Sequence, residues 1–195
     1  MIIRNVCVYC GSSPGEKPTY AAAARAFGAV LAERRLGLIY GGGSVGLMGI
    51  LADAVLAGGG KVTGVIPRAL VARELAHGRL TDLRVTESMH QRKALMAELA
   101  DAFVALPGGI GTFEELFEIW TWAQLGLHRK PCGVLNADGY YQGLVAFLDH
   151  ATASGFITPQ NRAMLLVGAD PDDLLDRLAL YDPPPTKAWV GVSET

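Results

Sequence analysis

Cysteine is scarce in this chain, with three in 195 residues, at positions 7, 10 and 132. That number supports no disulfide framework. Cys7 and Cys10 do form C-x-x-C, but they lie in VCVYC, which reads as a strand, where positions three apart face opposite ways. Core thiols are therefore expected rather than a redox or metal pair. The histidines are few as well, and His77, His90, His128 and His150 are scattered without ligand spacing, so no metal is expected. An excess of positive charge is also missing: 17 basic residues face 19 acidic ones, for a net charge of -2. Nucleic acid and anionic membrane are thus poor partners, and a small molecule is the better one. The start MIIRNVCVYCG lacks the basic region, long apolar core and cleavage site of a signal peptide. The uncharged stretch from Leu36 to Ala52 is broken by six glycines, at 37, 41, 42, 43, 46 and 49, which makes a poor membrane helix. A cytoplasmic location is expected.

Glycine and apolar residues are plentiful, with 24 glycines and half the chain hydrophobic. The length suits one domain, placed at residues 1–182, with an irregular tail over 183–195 (PPPTKAWVGVSET). Short β-rich runs ending in glycine or proline alternate with longer stretches of helical period. Strands are predicted at Asn5 to Cys10, Leu36 to Tyr40, Lys61 to Ile66, Leu83 to Thr86, Ala102 to Leu106 and Cys132 to Leu135. Helices are predicted at Thr19 to Arg35, Ser44 to Ala57, Met89 to Leu99, Thr112 to Leu127, Tyr140 to Ser154 and Pro171 to Ala179. This rhythm implies an α/β fold, a single doubly wound parallel sheet whose ligand site lies beyond the carboxyl ends of the strands. Three glycine turns converge there: CGSS, GGGSVG and PGGIGT.

YGGGSVGLMG holds G-x-G-x-x-G at Gly41, Gly43 and Gly46. A nicotinamide site would need an acidic residue at the end of the next strand, where VTGVIPR has Pro67 and Arg68 instead. No Gly-Lys-Ser/Thr follows, so it is not a P-loop. The turn serves either to face phosphate or ribose with bare amides or simply to pack a helix closely. PGGIGTFEEL repeats the pattern, with Gly108, Gly109 and Gly111 before Thr112. The hydroxyl and first amides of a helix starting there suit a phosphate. Thr112-x-x-Glu115 is equally a capping box, with Glu115 reaching back to the cap amide. Helical geometry sets Glu115 at the border of the apolar stripe Leu116, Ile119, Trp120, Ala123 and Leu127, with Glu114 turned away. Glu114 and Glu118 also suit a solvated face. In MHQRK, Arg92 and Lys93 sit near a helix start, where positive charge opposes the dipole; an anionic ligand, Glu115, or a solvated face accounts for them.

Together GGGSVGLMG, MHQRK and PGGIGTFEE, followed by TWAQLGLH, resemble the LOG (Lonely Guy) family of nucleoside 5′-monophosphate phosphoribohydrolases, often labelled lysine decarboxylase-like. The resemblance runs from about Cys7 to Ala179. It implies a modified Rossmann fold, usually a homodimer, no cofactor, and release of a cytokinin base from its riboside monophosphate, with AMP often cleaved too. Arg92 and Glu115 match the catalytic positions. Glu74, Arg92, Lys93, Gly108, Gly109, Ile110, Gly111, Thr112, Phe113, Glu114 and Thr121 match substrate-binding positions; Gly11, Ser12, Gly42, Gly43, Gly46 and Met48 join them from the other two turns. Glu74 rests on spacing alone. The decarboxylase label fails chemically, because Lys17, Lys61, Lys93, Lys130 and Lys187 show no setting for a pyridoxal phosphate Schiff base. In the implied hydrolysis the amides and Thr112 hold the 5′-phosphate. Glu115 then stabilises the cationic ribose, activates water, or both, and Arg92 orients Glu115 or the substrate. A molybdenum-cofactor carrier on the same scaffold is the competing reading; it needs the phosphate turns without the Arg92 and Glu115 pair.

Overall fold

A computed structural model of the chain describes residues 2–71 and 76–185. The strands are β1 (Asn5–Tyr9), β2 (Gly37–Tyr40), β3 (Val62–Pro67), β4 (Asp82–Thr86), β5 (Ala102–Ala105), β6 (Cys132–Leu135) and β7 (Leu165–Gly168). Between and after them run α1 (Pro18–Glu33), α2 (Gly46–Ala57), the single turn α3 (Arg68–Val71), α4 (Met89–Leu99), α5 (Ile110–Gln124), α6 (Gln142–Ala153), the short α7 (Pro159–Ala163) and α8 (Pro171–Ala179). The strands form one parallel sheet in the order β4-β3-β2-β1-β5-β6-β7. The expected doubly wound α/β fold is thus present, with β7 and the two short helices added to it. No helix among the described residues is long and apolar enough to cross a membrane.

Alternation along β1 divides the interior in two. Val6 and Val8 face a core built on α1, α2 and α8 with Phe27, Leu31, Leu51 and Leu178, whereas Cys7 and Tyr9 face one built on α4, α5 and α6 with Met96, Leu116, Trp120 and Leu148. Cys7 and Cys10 accordingly fall in different cores, and all three thiols are free and buried. The aromatic EIWTWAQLGL segment keeps much of its apolar surface inside the chain, since Ile119, Trp120 and Ala123 are buried.

The sheet order reverses at β1, which pairs with β2 on one side and β5 on the other. In open α/β sheets the crevice at such a reversal receives ligands. Here the two turns that flank it are tied by a backbone contact, the Gly11 amide donating to the Pro107 carbonyl at 3.0 Å. The CGSS and PGGIGT turns therefore lie side by side, and Arg92 and Glu115 lie on the α4–α5 side of the same sheet end.

Candidate active site

The PGGIGT turn begins at Pro107, two residues past the end of β5 at Ala105. Gly109 is the residue before helix α5, with no side chain to cap it. Helix α5 starts at Ile110, two residues earlier than predicted, so Thr112 is already inside the helix. The capping box is therefore absent: Thr112 caps nothing, and Glu115 turns to Arg92 instead of back along its own helix. Gly108 is required by packing, because a Cβ there would run into the Thr112 side chain and come within 2.9 Å of the Gly11 amide nitrogen. Gly109 and Gly111 are different, since a Cβ on either would meet nothing within 4 Å. Their missing side chains leave the start of α5 open to solvent. The first amides of a helix have no intrahelical acceptor and carry the positive end of its dipole. Thr112 is buried beneath Gly108, which leaves the amides as the exposed donors of this turn.

A charge cluster joins α4 to α5, with Arg92, Lys93 and Glu115 nearly buried and Glu114 half in solvent. Arg92 Nη1 is 2.9 Å from Glu115 Oε1, and both side chains are almost buried, with relative exposures of 10% and 11%. Arg92 Nε also donates to the Val65 carbonyl at 3.1 Å, which fixes the guanidinium between the ends of β3 and α5. Lys93 Nζ reaches Glu114 at 2.5 Å and Glu118 at 2.9 Å. The two cations at the start of α4 are thus neutralised by carboxylates of α5 rather than by water, and the solvated-face reading of this segment does not hold. Burial pushes the Glu115 carboxyl above its ordinary range; Arg92 pulls it back, Glu114 pushes it up further and Lys93 opposes. For Lys93 burial works against the ammonium, but hydrogen bonds to Glu114 and Glu118 prevail and raise it.

Close packing occupies the GGGSVG turn. Gly46 is left-handed, at φ 60°, and a Cβ on it would strike the Ser12 backbone. The amide of Leu47, early in α2, already donates to the Gly11 carbonyl. The Gly42 carbonyl accepts from His77 and the Gly43 carbonyl from the Tyr40 hydroxyl. Met48 is half-buried against the α1–α2 core. Helix α2 thus meets the CGSS turn directly. Ser12, Gly11, Gly108 and Gly109 line a cleft of about 200 Å³ together with Tyr20 and Tyr140.

Of the remaining predicted residues, Ile110 is 86% exposed at the mouth. Phe113 packs edge-on against Tyr141. Thr121 is exposed two turns along α5 from Glu114, on the same face and away from the Arg92–Glu115 pair. Glu74 lies outside the described residues. Sequence reasoning overlooked Gly41, which sits against the Arg92 guanidinium, Glu118 as a Lys93 partner, and the tyrosines at 140 and 141. Gly41 was visible inside its motif; the others carried no local signal.

Among the described lysines none offers a Schiff-base setting. Lys93 is held charged by two carboxylates, Lys17 pairs with Asp138, and Lys61 is exposed. Lys130 is lowered by burial, but its Nζ donates to the Ala97 carbonyl at the far end of α4.

Several known proteins are similar to this chain. A family model described as "Possible lysine decarboxylase" matches residues 48–178. The probable cytokinin riboside 5′-monophosphate phosphoribohydrolase LOGL5 of Oryza sativa subsp. japonica is 54% identical over 185 residues, which span 95% of this chain and 75% of that protein. The Arabidopsis thaliana cytokinin riboside 5′-monophosphate phosphoribohydrolase LOG7 is 52% identical over 92% of this chain and 83% of its own length. Among solved structures, the molybdenum cofactor binding protein of Rippkaea orientalis superposes with a TM-score of 0.69 over 92% of this chain and 98% of that one, at 19% identity, which is a likeness of fold. With the model spanning most of its length and such relatives matching nearly all of it, the chain belongs to the LOG family, whose model carries the lysine decarboxylase description.

Proposed function

We propose that the protein hydrolyses the N-glycosidic bond of nucleoside 5′-monophosphates, cytokinin riboside monophosphates and AMP among them, releasing the free base and ribose 5-phosphate. The reading follows the relatives' activity and is carried by one observation: the buried Arg92–Glu115 pair stands five residues along α5 from a turn of open amides. Five residues of helix rise about 7.5 Å, room for a ribose between phosphate and acid. The amides of Gly109, Ile110 and Gly111 take the 5′-phosphate, and the carboxylate lies under the anomeric carbon. As the C1′–N bond breaks, its electron pair leaves with the base and positive charge grows on the ring. Glu115 stabilises that charge and accepts a proton from the water that attacks C1′. Returning that proton to the departing base closes the balance. Arg92 is placed to orient Glu115, since its Nε and Nη1 are already committed to Val65 and Glu115.

Incubating the pure protein with AMP and with isopentenyladenosine monophosphate, and assaying free base and ribose 5-phosphate, tests this. Binding without product would favour the second reading, a nucleotide or cofactor carrier, which the fold likeness to molybdenum cofactor proteins supports. A carrier, however, has no use for a carboxyl raised by burial and aimed by an arginine. No step of the proposed reaction calls for a cofactor.

We also propose that residues 1–182 act as one catalytic unit, that the protein works in the cytoplasm, and that two copies associate through the outer side of α4 and α5. There Ala94, Ala97, Trp122 and Leu127 line a groove of about 420 Å³. Gel filtration tests the dimer.

A further inference from the structure

Two consecutive tyrosines grip the PGG turn. Tyr141 donates its hydroxyl to the Leu106 carbonyl at 2.7 Å, and Tyr140 donates to the Gly108 carbonyl at 2.5 Å. Tyr141 is fully buried, which makes it a fixture of the core. Tyr140 is half-buried and lines the cleft beside the turn. The segment that delivers them is itself braced. Asp138, left-handed at φ 50°, holds Lys17 Nζ at 2.8 Å and Thr19 Oγ1 at 3.2 Å. Asn136 Oδ1 accepts from the Tyr141 amide at 2.7 Å, and the Tyr140 ring meets Tyr20 edge-on.

The bond to Gly108 matters because of what shares its peptide plane. In a trans peptide the carbonyl and the following amide point in opposite directions. Holding the Gly108 oxygen toward Tyr140 therefore aims the Gly109 N–H away from it, and among the described residues that amide has no acceptor. Gly108–Gly109 is also the peptide of this turn most free to rotate, since neither residue has a Cβ to resist the turn of ψ and φ that flips it. Flipped, it would present a carbonyl oxygen where an anion is to bind.

We propose that Tyr140 is a positioning residue that fixes the Gly108–Gly109 peptide so that the Gly109 amide recognises the 5′-phosphate, making phosphate selectivity depend on a side chain that need not touch the ligand. The inference rests on the proposed nucleotide site but not on turnover. Tyr140→Phe keeps the ring against Tyr20 and Tyr141 and removes only the hydroxyl. Calorimetric titration with ribose 5-phosphate is expected to show affinity reduced about 10-fold in the variant, the scale of one hydrogen bond to a charged group. Affinity for adenosine, which lacks the phosphate, stays within about twofold, and the melting temperature is unchanged. An unchanged ribose 5-phosphate affinity would overturn the proposal, as would an equal loss for adenosine. Wild-type protein that binds AMP without cleaving it would sink the catalytic reading alone, because phosphate affinity is measured here without reaction.

Discussion

Gly41 lies directly against the Arg92 guanidinium, and a Cβ at residue 41 would overlap Arg92 Nη2. Since the obstructing atom is the tip of a flexible side chain, Gly41→Ala is expected to fold while pushing Arg92 off Glu115. Misplacing catalytic groups by about 1 Å costs on the order of 100-fold in rate. Steady-state assays should show kcat reduced by about 10- to 100-fold with a melting temperature close to that of the parent.

Glu115→Gln keeps the size and one hydrogen-bond acceptor for Arg92 but removes the base. Nucleotide binding should survive, and turnover should fall by about 100-fold or more. If turnover stays near normal, Glu115 serves only to neutralise Arg92.

The same carboxyl sets the acid limb of the pH profile. Burial raises Glu115, so activity that needs its ionised form should appear only as pH climbs through a value above the ordinary carboxylate range. Glu114 adds to that rise. Glu114→Gln is therefore predicted to move the acid limb of kcat/KM toward lower pH; a shift the other way would show that the groups do not interact as described.

Lys93 ties the two helices that carry the site. Replacing it with Met leaves Glu114 and Glu118 facing each other without their cation, and urea unfolding should show a loss of about 1–3 kcal/mol, the cost of orphaning partly buried charges. Because the folded state raises the Lys93 ammonium, this stabilisation is full below the unfolded lysine range and fades as pH rises through the folded value. The stability gap between parent and variant should accordingly close in strong alkali.

Much of this architecture is legible in the residues. β1, β2, β3 and β5 announce themselves as short apolar runs ended by glycine or proline, and β4 and β6 as short β-rich runs ended by polar residues; the observed bounds of all six differ from those predicted by a residue or so at the ends. β7 escapes notice although LLVG ends in Gly168, because it follows NRAM with no glycine or proline to mark where the strand begins. The pairing of Arg92 with Glu115 could be suspected from cations set against a helix dipole. The start of α5 at Ile110 could not, since the capping-box spacing at Thr112 mimics a helix start that the Gly109 turn supplies earlier. The roles of Tyr140 and Gly41 are out of reach for another reason: Gly108 comes to Tyr140 through the pairing of β5 with β6, and Arg92 to Gly41 through the packing of α4 on β2 and β3.

The three thiols are sealed in the interior, and burial raises every one of them. Alkylating reagents act on exposed thiolate, so the native molecule withholds it twice over, by access and by protonation. The rate at which a maleimide consumes cysteine is therefore a clock for how often the sheet comes apart, ticking at the pace of unfolding rather than of sulfur chemistry.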